Sequence, residues 1–182
     1  MTRLLVAVAA LMGAVMVAAP AGASDGPLAI TSSSPVQRLQ PAVRLTPPAP
    51  PAPPATSPAE AVVALTNNER ALYGLPPLQI DGRLMLAAQR HSEDQAAMNR
   101  MTHTGSDGSN VGVRLDRVGF AYRSWAENVA YGYGDAAAVV AGWMNSPGHR
   151  ANNLSGQTHV GVGLAYSASG TPYWTMVFAT PR

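Results

Sequence analysis

Thr158-His159-Val160-Gly161-Val162-Gly163-Leu164-Ala165-Tyr166 and, after a turn at Ser167–Gly170, Tyr173-Trp174-Thr175-Met176-Val177-Phe178-Ala179-Thr180 decide the fold class. In the first run Val160, Val162, Leu164 and Tyr166 alternate with His159 and small residues. In the second, Trp174, Met176 and Phe178 share one face. A period of two predicts two strands, and the short turn between them predicts an antiparallel hairpin.

Upstream the period becomes helical. Ser57, Pro58 and Glu60 form a capping box with proline at the first helical position. Val62, Leu65 and Leu72 follow at helical spacing, Gly74 stops the helix, and Leu75-Pro76-Pro77-Leu78 makes a turn. Asp81 caps a second helix whose stripe is Leu84, Ala87, Ala88, His91, Gln95 and Met98. A loop carrying His103, Gly105 and Gly108 leads to a short helix over 110–118. Asp135 caps a fourth helix, Ala136–Asn145, which Pro147 ends. Helices and strands in no strict βαβ order predict an α+β class: an α-β-α sandwich in which helices cover both faces of an antiparallel sheet.

Composition excludes several functions. All 12 basic residues are Arg, and ten acids leave a formal charge of +2. From Pro58 onward nine Arg face nine acids, so the domain is neutral and lacks the electrostatic footprint of a nucleic-acid binder. The absence of Cys excludes disulfides, thiolate metal sites and a cysteine nucleophile.

Residues 1–23 read as a secretory signal peptide: Arg3, an uncharged apolar run from Leu4 to Ala19, then Ala21-Gly22-Ala23. Its cleavage before Ser24 leaves no membrane span; its retention makes it an anchor. Either way the protein is extracytoplasmic, secreted or wall-associated. Residues 24–56 form a linker, since eleven of the 16 prolines fall between Pro20 and Pro58. Such a stretch is an extended polyproline spacer or a disordered tail. The domain proper is 57–182.

The residues suited to chemistry are dispersed: His91, His103, Glu127, His149 and His159. No zinc-protease, nucleophile-elbow or phosphate-loop pattern is present. His91 sits on the buried stripe of a helix and reads as a hydrogen-bonded core histidine. His159 reads as exposed or at a sheet edge.

The order of the motifs resembles a family. Asn67-Asn68-Glu69-Arg70, Gly74-Leu75-Pro76-Pro77-Leu78, Met101-Thr102-His103, Glu127-Asn128-Val129-Ala130, the run from Trp143 to Arg150 (Trp-Met-Asn-Ser-Pro-Gly-His-Arg) and Gly161-Val162-Gly163 follow one another as in the bacterial branch of the CAP superfamily. This superfamily comprises the cysteine-rich secretory, antigen 5 and pathogenesis-related proteins, also called the SCP domain. The resemblance implies an α-β-α sandwich with a cleft of two His and two acids. By motif these are His103, Glu127 and His149, with Ser146 where eukaryotic members have the second acid. Three readings of the cleft stay open: a divalent metal such as zinc held by His103, Glu127 and His149, an acid–base site, or a structural carboxylate pinning two loops. So do three functions: a binding module for a lipid, peptide or cell-envelope component, with Trp125, Tyr131, Tyr133 and Trp143 as candidate groove residues; a metal-assisted or His-based hydrolase acting on peptide or wall polymer; and a structural envelope protein.

Overall fold

The computed structural model describes residues 56–182; the expected signal peptide and nearly all of the linker lie outside the described residues. The elements run α1 (Pro58–Leu72), β1 (Gln79–Ile80), α2 (Gly82–Met98), α3 (Val111–Arg117), β2 (Tyr122–Tyr131), α4 (Ala136–Asn145), α5 (Pro147–Asn153), β3 (His159–Tyr166) and β4 (Pro172–Pro181). The expected caps form. Ser57 and Glu60 close the capping box of α1, Asp81 accepts from Arg83 N and Asp135 from Ala138 N, and Asn110, not among the expected caps, accepts from Val113 N. No helix among the described residues is long and apolar enough to cross a membrane.

The strand order is β1-β3-β4-β2. The predicted hairpin is present: β3 and β4 pair antiparallel with Val162 opposite Met176 and Gly163 opposite Thr175. β4 is central and buried on both faces. Trp174, Met176 and Phe178 pack with Val62, Val139, Val140 and Trp143 of α1 and α4. Val177 and Ala179 face Leu84, Ala87, Ala88, Val111 and Leu115 of α2 and α3. The expected sandwich is therefore the observed one, but its sheet is mixed and not wholly antiparallel, because the short β1 pairs parallel with β3.

Two elements go beyond the sequence expectation. β2 pairs antiparallel along β4, but its residues facing α1 and α4 (Ser124, Ala126, Asn128, Ala130) are small or polar, so no apolar alternation marks it. α5 begins at Pro147, where the sequence reads proline only as a stop; Ser146 is the C-cap of α4 and the N-cap of α5 at once. His159 is half-buried rather than exposed, held between β1 and β4 with its ring 6.3 Å from that of Phe120.

Gly161 and Gly163 let α2 lie directly on the backbone of β3. A Cβ on Gly161 would stand 2.1 Å from Leu84 C, and one on Gly163 would stand 2.4 Å from Gln89 N. That intimacy closes an open sheet edge. β1 covers only the first two residues of β3, and beyond it Gln89 gives its amide to Leu164 O and takes Leu164 N–H, each at 3.0 Å. On the opposite edge, Asn152 Nδ2 donates to Glu127 O (3.2 Å) and Trp143 Nε1 to Val129 O (3.4 Å).

The expected consequence is sharp. Gly161→Ala drives a methyl into helix backbone and destabilises by roughly 1–3 kcal/mol in urea unfolding. Gly156→Ala, with open space around its Cβ, stays within about 0.5 kcal/mol of wild type. Equal midpoints for the two variants would contradict the direct contact of α2 with β3.

Candidate functional site

Glu127 and Asn128 are neighbours on β2, so their side chains leave opposite faces of the sheet. Asn128 points toward α5 and is fully buried. Its Nδ2 donates to His149 O (3.0 Å) and Asn153 Oδ1 (2.9 Å), and its Oδ1 accepts from Asn152 Nδ2 (2.8 Å). The segment carrying His149 is thereby stitched to the strand carrying Glu127. Arg70 holds the far end of the same segment: it is buried, and it donates to the carbonyls of Pro76, Asn153 and Ser155 at 2.8–3.0 Å. Asn67 brackets Leu78 from both backbone sides. The polar motif of α1 is thus a set of backbone clamps.

On the other face Glu127 meets His103 and Arg114. His103 Nδ1 lies 2.9 Å from Glu127 Oε1, and Arg114 Nη2 donates to Glu127 Oε2 at 2.6 Å. The Glu127 side chain is 2% exposed and that of His103 is 59% exposed. The imidazole is therefore anchored at its inner nitrogen and open at Nε2. Its backbone is fixed as well. His91 Nε2 donates to Thr102 O (2.8 Å), Thr102 N donates to Gln95 Oε1 (3.1 Å), and Arg114 Nη1 donates to His103 O (3.2 Å) and Ser109 O (3.0 Å). His91 is the expected hydrogen-bonded core histidine, and its partner is the residue before His103.

The two cleft histidines sit in opposite environments. The hydrogen bond to Glu127 raises the pKa of His103 despite partial burial. Burial first, then the nearby charge of His103, lowers that of His149. Burial also lowers that of His91. His149 faces a groove of about 500 Å³ together with Met101, Tyr131, Tyr133, Trp143 and Ser146. His103 and Glu127 line a separate hollow with Trp125 and Asn152.

Of the sequence candidates, His103 and Glu127 are in contact, and His149 lies within electrostatic range of His103 but turns to the neighbouring groove. Both Glu127 oxygens are engaged, and among the described residues no group of three or more His, Asp or Glu side chains could hold a metal ion. Glu127 stands behind His103 instead of beside it, so the three candidates do not form one ligand set in this arrangement, while His103 Nε2 stays open. The four aromatic candidates divide: Tyr131 and Tyr133 wall the groove, Trp125 belongs to the other hollow, and Trp143 is core at 1% exposed. Sequence reasoning misses Arg114, because an Arg on a short helix gives no signal that its partner is a buried acid.

Comparison with known proteins follows the same residues. The profile of the CAP, cysteine-rich secretory protein family matches residues 63–178. The uncharacterized protein YkwD of Bacillus subtilis is 40% identical over 118 residues, covering 64% of this chain and 45% of its own length. A crystal structure of an extracellular protein containing an SCP domain from Bacillus anthracis superposes with TM-score 0.63 at 31% identity, over 68% of this chain and 40% of that one. An outer surface protein of Borrelia burgdorferi shares the fold, with TM-score 0.62 at 20% identity over 66% of this chain and 90% of that one. The chain spans less than half the length of the two Bacillus proteins.

The expected titration order is His103 above and His149 below about 6.5, the ordinary imidazole value. For His103, whose folded pKa is raised, the associated stability is full below about 6.5 and is lost as pH rises through the folded value. For His149 and His91 the sign reverses: stability present above about 6.5 is lost as pH falls through their folded values. Proton NMR titration of the imidazoles checks this, and Glu127→Gln brings His103 down. His149 titrating above His103 in wild type would contradict the assignment.

Proposed function

The chain belongs to the CAP, cysteine-rich secretory protein family, and from that premise we propose that it acts outside the cytoplasm as a binding module. Its ligand lays an apolar part between Met101, Tyr131 and Tyr133 and a polar group beside His149 and Ser146. The observation that carries this reading is the groove itself: about 500 Å³, walled by aromatic and thioether side chains, with one imidazole and one hydroxyl-bearing residue at its margin. Its walls are held from behind. Tyr131 stacks on Tyr173, with ring centroids 6.0 Å apart, and the Tyr133 ring lies against Gly142, where an added Cβ would come within 2.6 Å. Tyr131 and Met101 remain substantially exposed, at 56% and 42%. A lipid, a peptide or a cell-envelope component with an apolar portion meets these requirements. The extracytoplasmic setting is supported by the expected signal peptide and by the likeness to the extracellular SCP-domain protein of Bacillus anthracis.

One observation favours a hydrolytic alternative. His103 and His149 have their pKa values pushed in opposite directions at close range, and Glu127 orients His103 from behind. Such a split suits one group to accept a proton while the other donates. In such a reaction His149, with its lowered pKa, would take the proton from water, and His103, held protonated by Glu127, would give one to the leaving group.

Equilibrium dialysis of the full chain against a fluorescent fatty acid, an N-acylated tetrapeptide and a muramyl disaccharide separates the readings. The binding module gives saturable, unconsumed binding of at least one probe. That binding weakens roughly tenfold in Met101→Asp and in Tyr133→Ala, the cost of losing one buried apolar contact. No saturable binding of any probe, or binding indifferent to Met101→Asp, would contradict it. Consumption of a probe that stops in His149→Ala would support the hydrolase instead.

A further inference from the structure

We propose that the ligand of the aromatic groove is a linear, neutral glycan longer than a disaccharide, which runs on along the outer edge of β2 and stacks a further sugar ring on Trp125; this rests on the binding-module reading and names its ligand class. The juxtaposition comes from three elements, each of which lines both the groove and the hollow of His103. On β2, Val129 and Tyr131 line the groove, of about 500 Å³, and Trp125 and Glu127 line the hollow, of about 430 Å³. The loop after α2 gives Met101 to the first and His103 to the second. Helix α5 gives His149 to the first and, one turn on, Asn152 to the second. The two spaces therefore follow one another along one strand edge.

Trp125, Glu127, Val129 and Tyr131 are alternate residues of β2 and share one face. Trp125 is 41% and Tyr131 56% exposed, so each offers ring surface to a ligand. At ~3.3 Å per strand residue they stand about 20 Å apart, farther than a disaccharide reaches. Between them Glu127 holds His103 at Nδ1 and leaves its Nε2 open.

The chemistry of this track selects the polymer. A peptide strand added to β2 finds its ladder occupied, because Glu127 O already accepts from Asn152 Nδ2 (3.2 Å) and Val129 O from Trp143 Nε1 (3.4 Å). An acyl chain running past the groove would cover His103, Asn110 and Asn152 and give them no hydrogen bond. Apart from the two imidazoles, Glu127 is the one ionisable side chain lining either space among the described residues. It is 2% exposed and neutralised by Arg114. A polyanion or polycation therefore finds no counter-charge along the walls. A sugar meets both requirements: its C–H face lies on an aromatic ring, and its hydroxyls donate to or accept from imidazole and amide groups.

The test is calorimetric titration of the full chain with the dimers and tetramers of β1,4-linked N-acetylglucosamine and of β1,4-linked glucose, and with a hexapeptide of alternating Ala and Gly, alongside tryptophan emission. Trp143 and Trp174 are buried, so an emission shift on binding reports Trp125. The expected result is that at least one tetramer binds about tenfold tighter than its dimer, the effect of one more stacked ring, and shifts the emission saturably. Trp125→Ala and Tyr131→Ala each bring that tetramer down to the affinity of the dimer, and Trp125→Phe restores most of the difference. Equal affinity for dimer and tetramer, or tetramer binding indifferent to Trp125→Ala, would overturn the proposal. So would tighter binding of the hexapeptide than of either tetramer, or no binding of any tetramer. If a fluorescent fatty acid still binds and is lost in Tyr133→Ala, the glycan falls and the groove stands as a binding site; if that probe fails as well, the binding-module reading falls with it.

Discussion

A carboxylate taken out of water loses solvation worth several kcal/mol unless the protein replaces it. Glu127 is such a group, and its replacement partners organise the cleft. Arg114 neutralises one oxygen and His103 takes the other. Each partner is then held by something else. Arg114 spans from the carboxylate to the carbonyls of His103 and Ser109, so helix α3 and the loop over 103–109 are bound to one edge of the sheet. Thr102, gripped by His91 and Gln95, ties the same loop to α2. Asn128, one residue further along, does the equivalent work on the other face, where it draws α5 in. The Glu-Asn pair thus reaches both layers of helix because successive strand residues point opposite ways.

Much of this is legible in the sequence, and the parts that are not share a cause. The caps at Ser57, Asp81 and Asp135, the stripe of α2 and the β3–β4 hairpin are local patterns, each resting on residues within a few positions of one another. β2 escapes because it is an edge strand with polar and small residues on one face, where Asn128 substitutes for apolar contact. α5 escapes because Pro147 satisfies a stop and a start equally. His103 and Glu127 emerge as a pair through motif order, although 24 residues separate them. Arg114, Asn152 and Asn153 make their bonds only in the folded chain and carry no spacing that announces them.

The same distinction explains the fate of the metal reading. Two His and one Glu are a sufficient list of zinc ligands, but three ligands must aim at one point. Glu127 aims one oxygen at His103 Nδ1 and the other at Arg114, and His149 lines the aromatic groove. What remains is an imidazole with a buried counter-charge and an open outer nitrogen, beside an apolar groove. That arrangement fits the proposed recognition of a polar group next to an apolar one, with Tyr131 and Tyr133 in the groove, Trp125 in the hollow of His103 and Trp143 in the core.

The commitment of Glu127 is the central claim, and a crystal structure of the full chain soaked in zinc at pH 7.5 tests it most directly. The account predicts that the Glu127 carboxylate stays between Arg114 and His103, with no ion bridging His103, Glu127 and His149. A zinc ion coordinated by those three side chains, with Arg114 displaced from the carboxylate, would contradict it.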